Sequence, residues 1–291
     1  MAKVYLVSTA DRAEGARRCL DYFGVPDYSG KQVYVKPNFN SADPAPGSTD
    51  KATLDALLAA VRAKNPAKII LGERSGPAVA AQVFAQKGIG ELCEKYDVDF
   101  LNLEEPSVDW VKFERSDLHW QGGSFEIPKV LTESDAVVAT CCLKTHGFGG
   151  VYSNSLKLAV GITPKDFMKL HVDNIRKMIA EINLAYTPDF VLSDAVEVFT
   201  DGGPMEGKRV NANLMFIGSD RIALDAVGVA TLKYLGSNNA IMNTPIFEQE
   251  QIARAVELGL GVTSAKDIEI VTNDEESQKI AEKINEVLQS K

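Results

Sequence analysis

DAVVATCCLKTHGFGGVYSNSLKLAVGITP, residues 135–164, decides how the chain is read. Its apolar run ends at Leu143 and is long enough for a buried strand. Lys144, Thr145 and His146 stand at the end of that strand. A glycine-rich turn follows at Gly147, Gly149 and Gly150, and the chain is expected to resume as a short helix carrying Lys157. In an extended segment, a spacing of two puts Lys144 and His146 on the same side.

Working outward, strands are expected at 3–8, 32–35, 68–71 and 98–103. Helices fall between them at 13–23, from a cap at Thr49 or Asp50 through 61, and at 78–86 and 89–96. Strand–helix alternation of this kind builds a parallel sheet with helices on both faces, joined by right-handed crossovers. Residues 104–129 break the rhythm. Two alternating segments flank a glycine pair at Gly122 and Gly123, which reads as an antiparallel hairpin excursion around 108–127. Beyond the central stretch the pattern gives a helix at 170–184, strands at 189–199 and 212–217, helices at 220–234 and 244–258, a strand at 267–271 and a last helix at 274–288. With no internal repeat and no linker, residues 1–291 are expected to form a single α/β domain with a mostly parallel sheet.

The bulk numbers narrow the class of partner. The 291 residues are 45% hydrophobic and 24% charged, ordinary values for a globular chain, with a net charge of −9. An acidic surface argues against nucleic acid and anionic membranes, which need exposed Lys and Arg to replace counterions. A small anionic molecule remains compatible, because a basic pocket can sit inside an acidic protein. The N-terminus has no apolar signal core and no stretch approaches a membrane span, so the expected location is cytoplasmic. Homo-oligomerisation stays open. Cys19, Cys93, Cys141 and Cys142 form no C-x-x-C unit, so neither a zinc ribbon nor an iron–sulfur cluster has its ligands, and the thiols are expected to be reduced and buried. The P-loop and the G-x-G-x-x-G fingerprint are both missing, which leaves a nucleotide without its motif.

In a parallel sheet, ligands bind beyond the carboxyl ends of the strands. Four polar groups fall there: Lys36 with Asn38 and Asn40, Glu73 with Arg74, Lys144 with His146, and Ser193 with Asp194. Lys36, Asn38, Asn40, Arg74 and Lys157 are expected to bind substrate, the lysines as point charges and the asparagines as neutral donors and acceptors. Asn154 and Ser155, at the start of the expected short helix, would bring helix N-terminal amides to an anion. Lys144, His146 and His171 are the candidates for proton transfer, since a lysine beside a histidine favours the neutral imidazole. Glu73 and Asp194 would orient them. An alternative set is a divalent metal held by His146, His171 and Asp194. Each residue also has a plain structural reading: a lysine that snorkels to water, a histidine bonded to a carbonyl, an aspartate that caps a turn. Asp225, on an apolar helix face, is either paired with a buried cation or turned to solvent.

Across nearly the whole chain these motifs resemble the domain-of-unknown-function 362 family. The matching pieces are VYVKPNFN, GERSG, DAVVATCCLKTH, SLKLAVGITP with a later histidine, PDFVLSDAV, DGGP and SDRIALDAV. The resemblance implies an α/β fold and marks Lys36, Asn38, Lys144, His146, Lys157, His171 and Asp194 as the family's recurring polar positions. Three departures stand out. Glu73 replaces the family's usual Asp, Ser48-Thr49-Asp50 replaces Thr-Thr-His, and the four-cysteine ferredoxin-like module of many relatives is missing. The family supplies no settled reaction, and lactate racemase, with lysines and histidines on an α/β scaffold, is a distant analogy. Three functions fit the residues: proton-transfer chemistry of the isomerase or lyase type on a small carboxylate or phosphorylated acid, metal binding or metal-dependent catalysis, and binding of an anionic metabolite without turnover.

Overall fold

The computed structural model describes residues 1–165 and 174–290. Its centre is strand β7, Ala136–Cys142, in which all seven residues are buried. Each valine removed from water in this way contributes about 1.5–3 kcal/mol. Around it lie β1 (Ala2–Ser8), β2 (Gln32–Lys36), β3 (Lys68–Glu73), β4 (Asp99–Asn102), β10 (Phe190–Gly202), β11 (Gly207–Gly218) and β12 (Ile268–Val271). They form one eight-stranded sheet in the order β12-β1-β11-β10-β7-β2-β3-β4. β11 alone runs against its neighbours β1 and β10, and every other pairing is parallel. The fold is therefore α/β with a mostly parallel sheet, as the alternation of elements implies.

Helices cover both faces. Arg12–Phe23, Lys51–Arg62, Ala80–Gln86 and Ile89–Tyr96 pack on the face that carries Val33, Val35, Phe190 and Leu192. Arg221–Tyr234, Glu250–Glu257 and Glu275–Gln289 build the core on the other side with Val4, Leu6, Val191 and Phe216. Aspartates cap four of these helices: Asp11, Asp50, Asp220 and Asp274 each accept from a first-turn amide. Asp50 fills the cap left open between it and Thr49. The Thr49 hydroxyl instead accepts from Asn38 N at 2.9 Å.

The antiparallel excursion is present as β5 (Trp110–Glu114) paired with β6 (Ser124–Pro128). Its apolar face, with Trp120, Phe125 and Ile127, joins Tyr34, Met178 and Ile182 in a third cluster. β8 (Lys144–His146) and β9 (Val151–Ser153) make a second small hairpin.

Two local expectations are corrected. The segment after the glycine turn is this β9 strand, and the short helix that carries Lys157 is a 3-10 helix starting only there, Lys157–Ile162, so Asn154 and Ser155 do not open it. The reason is that Asn154 is wedged into the core. Its Nδ2 donates to Leu224 O at 3.0 Å, and its Oδ1 accepts from Ser193 Oγ at 2.6 Å. Asp225 has no ion pair among the described residues and is not turned to solvent. It is buried, accepts from Tyr152 Oη at 2.9 Å and Leu156 N at 3.2 Å, and is pushed up to about 7 by burial.

The long β10–β11 hairpin reaches beyond the sheet and touches β8. Thr145 Oγ1 donates to Phe199 O at 3.2 Å, and Gly147 N donates to Gly203 O at 3.1 Å. Gly203 has φ +81°, and a Cβ there would lie 2.1 Å from Thr145 O. Gly203→Ala is expected to lower stability by about 1–3 kcal/mol in urea unfolding, from strain and displacement of β8. An unchanged unfolding midpoint would show that the contact is not needed.

Candidate functional site

Strand period 2 places the first cation. Val33 and Val35 of β2 face one helix layer, so Tyr34 and Lys36 face the other way. Lys36 is 1% exposed and pairs with Glu73, at the end of β3, at 2.5 Å. The Glu73 carboxylate also accepts from Phe39 N at 3.2 Å and Arg74 N at 2.9 Å. Burial pushes Glu73 up and Lys36 down, and each is held back by the charge of the other. Gly161, in the 3-10 helix, lies directly over the pair. A Cβ there would meet Glu73 Oε1 at 2.3 Å and Lys36 Nζ at 2.7 Å. Lys36→Met leaves a buried carboxylate unpaired and is expected to cost about 3–5 kcal/mol in denaturant unfolding. Adding Glu73→Gln should recover most of that loss. A double variant no more stable than the single one would show that the pair is not the cause.

The other cations surround the same space. Lys144 is 1% exposed, and its Nζ donates to Pro46 O at 2.6 Å and Gly47 O at 2.8 Å. Burial lowers its pKa. Arg74 spends its guanidinium on backbone carbonyls, with Nε to Thr163 O at 2.5 Å and Nη2 to Val160 O at 2.8 Å. These bonds fasten the 3-10 helix to the end of β3. Lys157, at the start of that helix, differs from the rest. Among the described residues it has no hydrogen-bond or ion-pair partner. Desolvation first, and then the charges of Lys144 and Arg74, lower its pKa to about 7.

His146 is next to Lys157. A Cβ on Gly150 would lie 2.7 Å from Lys157 Cε and 3.3 Å from His146 Nδ1, so both groups crowd the same glycine. The side chain of Phe148 is edge-on to the imidazole at 6.2 Å.

These groups enclose a cavity of about 390 Å³. Its walls include Lys36, Asn38, Asn40, Glu73, Arg74, Lys144, His146 and Lys157, so the structure brings eight of the sequence candidates together. Asn40 Nδ2 is buried and has no partner among the described residues. One described candidate is not brought there. Asp194 lies on the Phe190 and Leu192 face and does not line the cavity. Its carboxylate takes Arg12 Nε at 2.8 Å, Thr53 Oγ1 at 3.4 Å and Val196 N at 3.0 Å. His171 lies outside the described residues. Among the described residues, no group of three or more His, Cys, Asp or Glu is placed to hold a metal ion. All four cysteines are free and buried.

Sequence reasoning missed several wall residues: Phe148, Ser153, Gly161, Ile175, Pro204 and Met205. Pro204 ends the DGGP motif and Gly161 lies in LAVGITP, so both carried a signal as parts of the quoted motifs. Ile175 and Met205 carried none, since an apolar side chain at a cavity rim looks like any core residue in sequence.

The crevice at the carboxyl ends of β2, β3 and β7 is where α/β proteins of this architecture place a ligand. The chain belongs to the family described as Domain of unknown function (DUF362), whose model matches residues 33–230. That span contains the eight candidates that line the cavity. Comparison with curated proteins finds no match. Among solved structures, the lactate racemase apoprotein from Thermoanaerobacterium thermosaccharolyticum is 15% identical, with 98% of this chain and 86% of that chain covered and a TM-score of 0.48. A protein from Thermotoga maritima is 14% identical, with 76% of this chain and 56% of that one covered and a TM-score of 0.46. Among the described residues, no helix is long and apolar enough to cross a membrane.

The shifted lysine has a measurable consequence. Its folded pKa, about 7, lies below the ordinary 10.5. Between those values the unfolded chain binds more protons than the folded one, so this residue's contribution to stability rises as pH increases through that window. Below pH 7 the full penalty of a desolvated ammonium is present. Lys157→Met is therefore expected to stabilise the protein most below pH 7, with the gain shrinking towards pH 10. Thermal unfolding across that range measures it, and a gain independent of pH would contradict the shift.

Proposed function

We propose that the cavity binds a small organic anion, a carboxylate or a phosphorylated acid, and that the protein is an enzyme of the isomerase or lyase type acting on it by proton transfer. The observation that carries this is the charge of the walls: among the described residues, four cations, Lys36, Arg74, Lys144 and Lys157, stand against one carboxylate, Glu73. Lys36 is already neutralised by Glu73, which leaves three buried or half-buried positive groups bonded to no carboxylate among the described residues. An anion entering the cavity supplies that missing charge. The volume, about 390 Å³, lies in the range of small-molecule sites.

In this reading Lys144 and Lys157 hold the anionic group, with Asn38 and Asn40 offering neutral hydrogen bonds and Arg74 adding positive field. His146, beside Lys157, moves the proton. A lysine whose pKa burial lowers to about 7 gives the site a group able to exchange a proton with a carbon acid near pH 7. The metal-dependent alternative loses support from the placement of Asp194, whose oxygens are occupied by Arg12, Thr53 and a backbone amide. In the same proposal the chain forms one α/β unit.

A thermal-shift series with small mono- and dicarboxylates and sugar-phosphate-sized acids tests the reading. At least one class should raise the melting temperature of the wild type, by an amount that falls with added salt. Lys157→Ala should weaken binding of that ligand about 10–100-fold, the loss of one charge-assisted hydrogen bond. If no anion stabilises the wild type, or if Lys157→Ala and His146→Ala bind it as the wild type does, the assignment is wrong.

A further inference from the structure

We propose that Lys157 is a covalent nucleophile whose amine condenses with the carbonyl carbon of a small 2-oxo acid to form an imine. The proposal rests on the anion-binding reading above and assigns it a substrate class and a chemical step.

The argument starts from which amine is available. Lys36 is locked to Glu73 and Pro37 O, and Lys144 is capped by two carbonyls, so both amines are engaged as ammonium donors. Lys157 alone of the three lines the cavity with no partner among the described residues, at the start of a helix that two Arg74 bonds hold in place. Desolvation, and then crowding by two other cations, disfavours its charged form, which is the arrangement that activates a lysine for attack on a carbonyl. Gly150 leaves room beside Cε where any side chain would collide, so the amine keeps space to re-orient as a tetrahedral centre forms.

The remaining walls match the rest of a 2-oxo acid. Its carboxylate lies one bond from the reacting carbon and needs donors beside the lysine. The third N–H of Lys144, left over after its two carbonyl bonds, is the donor assigned to it. The step balances without any outside oxidant or reductant. The neutral amine forms the C–N bond as the carbonyl π pair moves to oxygen, and one N–H proton is passed to that oxygen. The carbinolamine then loses its hydroxyl as water, with a proton delivered by His146, and the C=N bond forms as an iminium. That cation acidifies the neighbouring C–H, whose removal is the proton transfer that an isomerase or lyase needs.

Borohydride trapping tests it. The wild type is incubated with pyruvate, reduced with sodium borohydride, digested and mapped by mass spectrometry, while thermal shifts are recorded in parallel with pyruvate and with lactate, which has no carbonyl. A reduced adduct concentrated on the Lys157 peptide, about tenfold or more above any surface lysine and lost in Lys157→Arg, is the expected result. Lys157→Met serves as the second variant, and circular dichroism checks that both fold. If pyruvate and lactate both stabilise the protein but no Lys157 adduct forms, the imine is overturned and the anion site stands. If neither acid nor any other anion stabilises it and no adduct forms, both readings fall. An adduct spread over many lysines, or one that persists undiminished in a folded Lys157 variant, also overturns the proposal.

Discussion

Everything around the cavity depends on the difficulty of burying positive charge. A desolvated ammonium is costly unless hydrogen bonds or an opposite charge replace the water it loses. The chain answers this in a different way for each cation. Lys36 has a carboxylate, Lys144 has the carbonyls of Pro46 and Gly47, and Arg74 has the carbonyls of the 3-10 helix. Lys157 has none of these among the described residues, and its pKa falls accordingly. The site is a graded set of compensated charges with one deficit, and the deficit faces the cavity.

The compensation also shapes the backbone. The loop that carries Pro46 and Gly47 closes over Lys144, and its far end is tied to Asn38 through reciprocal bonds with Thr49. Arg74 joins the end of β3 to residues 157–163, and Gly161 lets that segment settle directly on the Lys36–Glu73 pair. Segments distant in sequence are thus drawn together by polar groups that each need a partner. The β10–β11 hairpin closes the arrangement from the side of β8 and contributes Pro204 and Met205 to the walls.

Much of this was legible in the sequence, for physical reasons. Val33, Val35 and the run from Ala136 to Cys142 show their strands through unbroken hydrophobicity, and the alternation with helices fixes a parallel sheet. The polar residues at the strand ends, Lys36, Glu73, Lys144 and His146, stood out because charged groups directly after buried strands are unusual, and they do meet at one cavity. What was hidden was direction. Asp194 follows an apolar strand just as Lys36 does, but its position on the pleat sends it to the opposite face and to Arg12. The short helix that carries Lys157 starts later than its sequence pattern suggests, because the anchoring of Asn154 to Leu224 and Ser193 joins residues far apart in the chain. The antiparallel course of β11 was likewise invisible, since strand direction is set by pairing and not by composition.

The most direct test of the charge deficit is calorimetric titration of a stabilising carboxylate at a pH slightly above 7, repeated in buffers of different ionisation enthalpy. An anion that completes the site must favour the protonated form of Lys157, so binding should take up a fraction of a proton, and that uptake should vanish in Lys157→Met. Binding with no proton uptake in the wild type, or uptake unchanged in the variant, would contradict the account.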